Sequence, residues 1–180
     1  MKKILMILGT AVASFAYSQG TIIVNNYSKF DFYGFLMATN STSGCYPRVG
    51  NDGAIVVPAE SHMGNGLELV YKDYMGQFSS SLYPTANWVV TLNPTSSSIM
   101  AWNNVNLSPG GTIATTTKWY ATKFDMMDAG TTNSNTENFR ANMNIANACG
   151  TGINDYFVTP SGNNSAEMFT ISGITYLQLY

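Results

Sequence analysis

Charge is what this chain has least of. Ten acidic and eight basic residues are spread over 180 positions, with one histidine. Two of the basic residues, Lys2 and Lys3, belong to an N-terminal targeting stretch, which leaves six basic against ten acidic in the rest. Such a chain has no electrostatic footing for a nucleic acid. No Lys/Glu-rich stretch offers a surface helix, and beyond Val12 no apolar run is long enough to cross a bilayer, which excludes a helical membrane protein. No Gly-x-Ser-x-Gly elbow, His-Glu-x-x-His pair or Cys-x-x-Cys is present, so neither a zinc site nor a cofactor is expected. No repeat of solenoid period occurs either. Polarity comes instead from Asn, Thr, Ser, Gly and Tyr, a composition that suits sheets joined by polar loops.

The first residues read as an export signal. Lys2 and Lys3 supply the charged start, residues 4–12 form a short apolar stretch, and the small residues Ala13, Ser14, Ala16 and Ser18 follow, as cleavage requires. Residues 1–18 are therefore expected to be a signal peptide, and 19–180 a single secreted domain, extracellular or periplasmic. No acylatable Cys follows the apolar stretch, which argues against a lipoprotein. About 160 residues are enough to bury a core without metal or cofactor. The two cysteines, Cys45 and Cys149, would oxidise in that compartment and form a disulfide. Closing a loop of about 100 residues corresponds to about 4 to 5 kcal/mol in the chain-entropy estimate. A sharper alternative makes Cys45 a nucleophile with His62 as its base, but oxidation competes for the thiol.

Alternation defines the rest. Ile22, Ile23 and Val24 read as a strand closed by an Asn25-Asn26 turn. In the next strand Phe30, Phe32, Leu36 and Ala38 share one face, and Tyr33, Phe35 and Met37 lie opposite as that strand becomes buried on both sides. Gly34 marks a bulge or a close backbone approach. Residues 40–53 read as loop, 54–57 and 66–73 as strands, 75–85 as loop, and 86–92 as a strand with Trp88, Val90 and Leu92 on one face. Strands follow at 97–103 and, after the 108–111 turn, at 112–124, with a polar loop at 125–135. At 138–147 two signals conflict. Ser134 and Glu137 fit a helix capping box, whereas Phe139, Ala141, Met143 and Ile145 alternate strictly; strand is favoured. The last strands are 153–159, 166–171 and 174–180. In the final one Ile174, Tyr176 and Tyr180 line a face interrupted by Gln178. The expectation is all-β: a two-sheet antiparallel β-sandwich, jelly-roll-like or Greek-key, of about ten strands.

Several residues are candidates for chemistry. Tyr46, Tyr74, Tyr83, Trp102 and Tyr120 lie in or beside Asn/Ser/Thr-rich segments, where rings can stack on a sugar and amides can bind its hydroxyls; core packing is the plainer reading of any one of them. Asp125 and Asp128, followed by Gly130 and Asn133, could offer oxygens to calcium, although the regular loop pattern is missing. Glu60, Asp125, Asp155 and Glu167 are the carboxylates from which a hydrolase could draw a pair. His62 reads as a loop residue. The composition points first to a non-enzymatic binding module for glycans or a surface partner. A small outer-membrane β-barrel and a small secreted hydrolase are the alternatives.

Overall fold

The computed structural model describes residues 20–42, 44–145, 149 and 152–180. The expected signal peptide and its cleavage point lie outside the described residues. In chain order the strands are β1 (Thr21–Asn26), β2 (Phe30–Thr39), β3 (Arg48–Asn51), β4 (Ile55–Val57), β5 (Leu69–Tyr71) and β6 (Asn87–Asn93). They continue with β7 (Ser96–Ala101), β8 (Lys118–Asp128), β9 (Arg140–Asn144), β10 (Tyr156–Val158), β11 (Ser165–Ile171) and β12 (Ile174–Leu179). Two short helices, α1 (Gln77–Ser80) and α2 (Thr112–Thr116), interrupt them.

The strands form two sheets, ordered β10-β11-β12-β1-β5 and β7-β6-β3-β2-β8-β9, with β4 paired to β2 beside β3. The sandwich expectation holds. Both sheets end in free edges, β10 and β5 in one, β7 and β9 in the other, so the closed barrel is overturned. One pair departs from antiparallel order: β1 lies parallel to β12, joining the first and last strands. That pairing places β12 in the middle of its sheet.

The alternating residues do what their period requires. Phe30, Phe32, Leu36 and Ala38 are buried between the sheets, with Trp88 and Val90 from β6 and Leu177 and Leu179 from β12. At the centre, Tyr74 meets Trp88 and Trp119 edge-on, with ring centroids 4.9 and 5.6 Å away, and Tyr71 meets Trp88 at 6.0 Å. Such aromatic pairs each add about 0.5–1.5 kcal/mol beyond the area they bury. Gly34 is a close approach rather than a bulge, because a Cβ there would stand 2.9 Å from both the Lys123 carbonyl and Phe124 Cβ. Cys45 and Cys149 are bonded across 104 residues with Cα atoms 5.7 Å apart, which removes Cys45 as a nucleophile.

Four expectations need correction. Asn25 and Asn26 are not a turn but the end of β1, opposite Gln178 and Leu179; the chain reverses at Tyr27–Lys29 instead. Within the expected 40–53 loop lies β3, too short to show a period of its own and held between β2 and β6. Residues 112–116 are helix rather than strand: Thr115 N donates to the Gly111 carbonyl at 2.9 Å, and the hydroxyls of Thr115, Thr116 and Thr117 also donate to the carbonyls four residues back. The strand then starts at Lys118 and runs on to Asp128, into the expected polar loop. Finally, the outer face of β2 is not buried at its end: Phe35 and Met37 are half-buried and Tyr33 is exposed. Residues 140–144 are strand, as the alternation indicates; residues 146–147 of that segment lie outside the described residues.

Candidate functional site

The aromatic candidates do not converge. Tyr74 has no exposed surface; its hydroxyl pairs with Thr117 Oγ1 at 2.7 Å, and burial pushes its phenol far above the ordinary range. Tyr46 and Tyr120 gather round Arg48. Its guanidinium sits 4.6 Å from the Tyr46 ring centre, and its Nε donates to the Cys45 carbonyl at 2.9 Å. Burial raises the Tyr120 pKa, and the Arg48 charge opposes that rise. Tyr83 donates its hydroxyl to the Leu67 carbonyl at 2.8 Å and borders a cleft of about 350 Å³ lined by residues 52–56 and 83–86, where Asp52 is the one carboxylate. Trp102 stacks on Phe78 with ring centres 4.4 Å apart.

The carboxylate candidates are also dispersed. Asp125 and Asp128, three residues apart on β8, point to opposite sides of that strand, and Asp125 accepts from Ser134 Oγ at 2.9 Å. Among the described residues no three His, Cys, Asp or Glu side chains converge as a metal site. Glu60 sits in a turn at positive φ, and Asp155 precedes β10. Glu167 lies on the outer face of the five-stranded sheet and is the one candidate with another beside it: Asp155, just before the adjacent strand, accepts the Met168 N–H on its backbone carbonyl at 2.7 Å.

That face has an order that registers across its strands. On β12, residues Tyr176, Gln178 and Tyr180 follow at period two and point away from the core, since Thr175, Leu177 and Leu179 point into it. The register sets Tyr176 beside Ile23 on β1 and Phe169 on β11, and sets Gln178 beside Asn25 and Glu167. Glu167 in turn opposes Tyr156 on β10, and Glu68, the residue before β5, extends the same row beyond Asn25. A polar row, Glu68, Asn25, Gln178, Glu167 and Tyr156, thus crosses all five strands. An aromatic row flanks it on each side, about 7 Å along the strands. On one side Phe169 and Tyr176 stack at 5.4 Å. On the other Tyr27 is stacked between Tyr180 at 5.5 Å and His62 at 4.5 Å.

The two ends of the polar row differ in exposure. Residues 61–67 fold over the β5–β1 end: Met63 N donates to Asn25 Oδ1 at 2.8 Å, and Asn65 Oδ1 accepts from the backbone of His62 and Leu67. Along the row, Asn25 Nδ2, Glu68 Oε2 and Gln178 Oε1 are buried without a hydrogen-bond partner. Unpaired polar atoms are costly in a protein interior, about 1–3 kcal/mol each, and three in one row need an explanation. The other end is open, with Tyr156 55 % and Tyr180 47 % exposed. There the Tyr180 hydroxyl donates to Glu167 Oε1 at 3.2 Å. Partial burial raises the Tyr180 pKa, and the Glu167 carboxylate raises it further, by accepting that bond and by its charge.

At the row's open end, the Glu167 carboxylate with the Tyr156 and Tyr180 rings can stack on a flat ring and bind its hydroxyls. Sequence reasoning missed most of it. Tyr27, His62 and Tyr180 are far apart in the chain, and only the parallel pairing of β1 with β12 brings them together. The available signal was the Tyr-x-Gln-x-Tyr spacing of β12, where a polar residue sits between two aromatics on one face. No family model matches the chain, and no curated protein or solved structure was found to be similar to it.

Proposed function

We propose that the protein is an exported, non-enzymatic module that binds glycan on the outer face of its five-stranded sheet. One observation carries this reading: a polar row lies between two aromatic rows on a surface that no described element covers at its β11–β10 end. Tyr and Phe rings offer rigid area for the apolar faces of sugar rings, and the Glu167 carboxylate and the Tyr180 hydroxyl offer the acceptors and donor that sugar hydroxyls require. The disulfide is consistent with export into an oxidising compartment.

Within the row, the two carboxylates are spaced for binding rather than for paired acid–base cleavage. Glu68 and Glu167 stand three strand steps apart, about 14 Å between backbones, whereas glycosidase carboxylates lie about 5 to 9.5 Å apart. Calorimetry of the mature chain against a panel of neutral and charged oligosaccharides tests the reading. Binding to at least one of them, weakened about tenfold by Tyr180→Ala, is expected. No heat with any oligosaccharide, or binding that both Tyr180→Ala and Tyr27→Ala leave intact, would overturn it.

A further inference from the structure

We infer that one end of the sandwich docks on the surface of an uncharged lipid bilayer, with Phe78, Leu82, Trp102 and Val105 entering the headgroup region. The inference is independent of the glycan reading and concerns the other sheet. From Tyr74 to Thr117, nearly a quarter of the chain, there is no Asp, Glu, Lys, Arg or His. That stretch turns large apolar groups to solvent. Val105, at 75 %, is the most exposed large hydrophobic side chain among the described residues, with Leu82 at 59 % and Phe78 at 38 %. Trp102 lies flat against Phe78. The cluster forms where β6 begins and β7 ends: Trp102 N donates to the Ala86 carbonyl at 2.8 Å, and Val105 follows three residues beyond Trp102.

These side chains are held outward by their neighbours. Gln77, beside Phe78, is wholly buried; its amide donates to the Tyr74 and Thr85 carbonyls at 3.2 and 2.6 Å and accepts from Thr85 N at 2.9 Å, which fixes the 77–85 loop. Val105–Leu107 form one turn of 3-10 helix capped by Asn104, whose Oδ1 accepts from Asn106 N at 3.0 Å; Leu107 is buried in the core and Val105 stands clear of it. An apolar cluster displayed on fixed loops marks a surface for a partner, and the absence of charge selects which. Protein interfaces use Arg anchors and charged rims to set register, and this cluster has neither. A bilayer surface demands no register, and the main cost of entering it, desolvation of charged groups, does not arise here. Trp beside aliphatic groups suits the boundary between headgroups and acyl chains. Two acids border this end: Asp52, whose N–H donates to the Asn87 carbonyl at 3.0 Å, and Asp73, whose carboxylate accepts from the backbone of Met75 and Gly76. The nearest basic residues in sequence, Lys72 and Lys118, lie beyond the two ends of the uncharged stretch, so attraction to anionic lipid has no source within it.

Vesicles of phosphatidylcholine supply the test, with Trp102 as the reporter, since Trp88 and Trp119 are buried in the core. The mature chain is expected to sediment with these vesicles, its tryptophan emission shifting to the blue and being quenched by lipid brominated near the headgroup. Affinity should stay within about twofold in about 1 M salt, and when part of the lipid is replaced by phosphatidylserine, because no basic residue takes part. Val105→Asp and Leu82→Asp should each weaken binding at least about tenfold without moving the urea midpoint, whereas Ile171→Asp, as exposed as Leu82 but on the five-stranded sheet, should leave it unchanged. Failure to sediment with neutral vesicles would overturn the inference. So would binding that needs phosphatidylserine or is lost in salt, which would assign it to charge, and so would binding that both Asp variants leave intact. A dimer formed without lipid that shields Trp102 would overturn it as well, by making a second copy the occupant.

Discussion

Asn25 and Asn26 are neighbours on one strand, both almost wholly buried, and they are used in opposite ways. Asn26 faces the core. Its Nδ2 donates to the carbonyls of Phe30, Val57 and Pro58, at 2.7, 3.2 and 2.9 Å, and its Oδ1 accepts from both the backbone and the hydroxyl of Ser28. Asn25, one residue earlier, faces outward with its Nδ2 unpaired. The first is a clamp that ties the β1–β2 reversal to the strand following β3. Similar clamps recur: Asn51 holds Leu36, Gly34 and Gly53, Asn135 holds Met126 and Phe139, and Gln77 holds Tyr74 and Thr85. A chain with little charge thus fixes its loops with buried amides, each fully paired. Against that background, unpaired atoms on Asn25, Gln178 and Glu68 stand out. Within the core, Trp119 Nε1 is a single exception that nothing in the structure explains.

The contrast can be broken most directly at Asn26. Its replacement by Ala would leave up to three buried carbonyls and the Ser28 donors without partners. A loss of about 3 kcal/mol is expected, read as a lowered urea midpoint with an unchanged slope. Asn51→Ala should cost about 2 kcal/mol for the same reason, since Leu36 N would lose the Oδ1 that it reaches at 2.7 Å. A cost under about 0.5 kcal/mol at either position would show that the amides are incidental to the fold.

Smaller effects separate the tyrosines of the core from those of the face. Burial raises the phenol pKa values of Tyr71 and Tyr74 above their value in the unfolded chain, so the folded state holds those protons more tightly. Their contribution is therefore present below about pH 10 and is lost as the pH rises beyond it. In an alkaline titration followed by phenolate absorbance, these two should ionise only as the protein unfolds, and Tyr74→Phe should weaken that alkaline loss. Tyr180, raised but exposed, should ionise while the protein remains folded, and Glu167→Gln should bring its pKa back down. An early, unfolding-independent phenolate signal that Tyr74→Phe removes would contradict the assignment.

Much of this was legible beforehand, for physical reasons that particular residues show. Strict alternation identified the buried face of β2, Trp88 and Val90 of β6 (though Leu92, on the same face, is exposed) and the strand character of 140–144, because one face of each packs against the opposite sheet. The pairing of Cys45 with Cys149 followed from there being two cysteines in a chain whose start reads as an export signal. What failed was anything set by partners distant in sequence. The four residues of β3 carry no period, and they are a strand because β2 and β6 bond them on both sides. Trp119 and Phe124 both reach the core although five residues separate them, because Tyr120 is skipped in the pairing with β2. The Thr-rich start of that segment looked extended by composition, yet its hydroxyls close a turn of helix. Gln178 read as an interruption of a buried face when it is the middle of a polar row. That row exists because β12 returns beside β1, and strand order is not encoded in local period.

The gentlest perturbation is the most discriminating. Asn25→Ala removes one buried donor that has no partner and one acceptor that Met63 N uses, so the two terms oppose each other. Net stability is expected to shift by less than about 1 kcal/mol in either direction, against the larger loss at Asn26. Binding should not be spared, because the 61–67 loop loses its anchor on β1 and the His62 ring loses its fixed place against Tyr27. A variant that unfolds at the same urea concentration as the parent but binds oligosaccharide several-fold more weakly would place the two neighbouring asparagines in separate roles. If Asn25→Ala proves as destabilising as Asn26→Ala, both amides are structural, and the unpaired row is then a solvated part of the fold rather than a surface kept for a ligand.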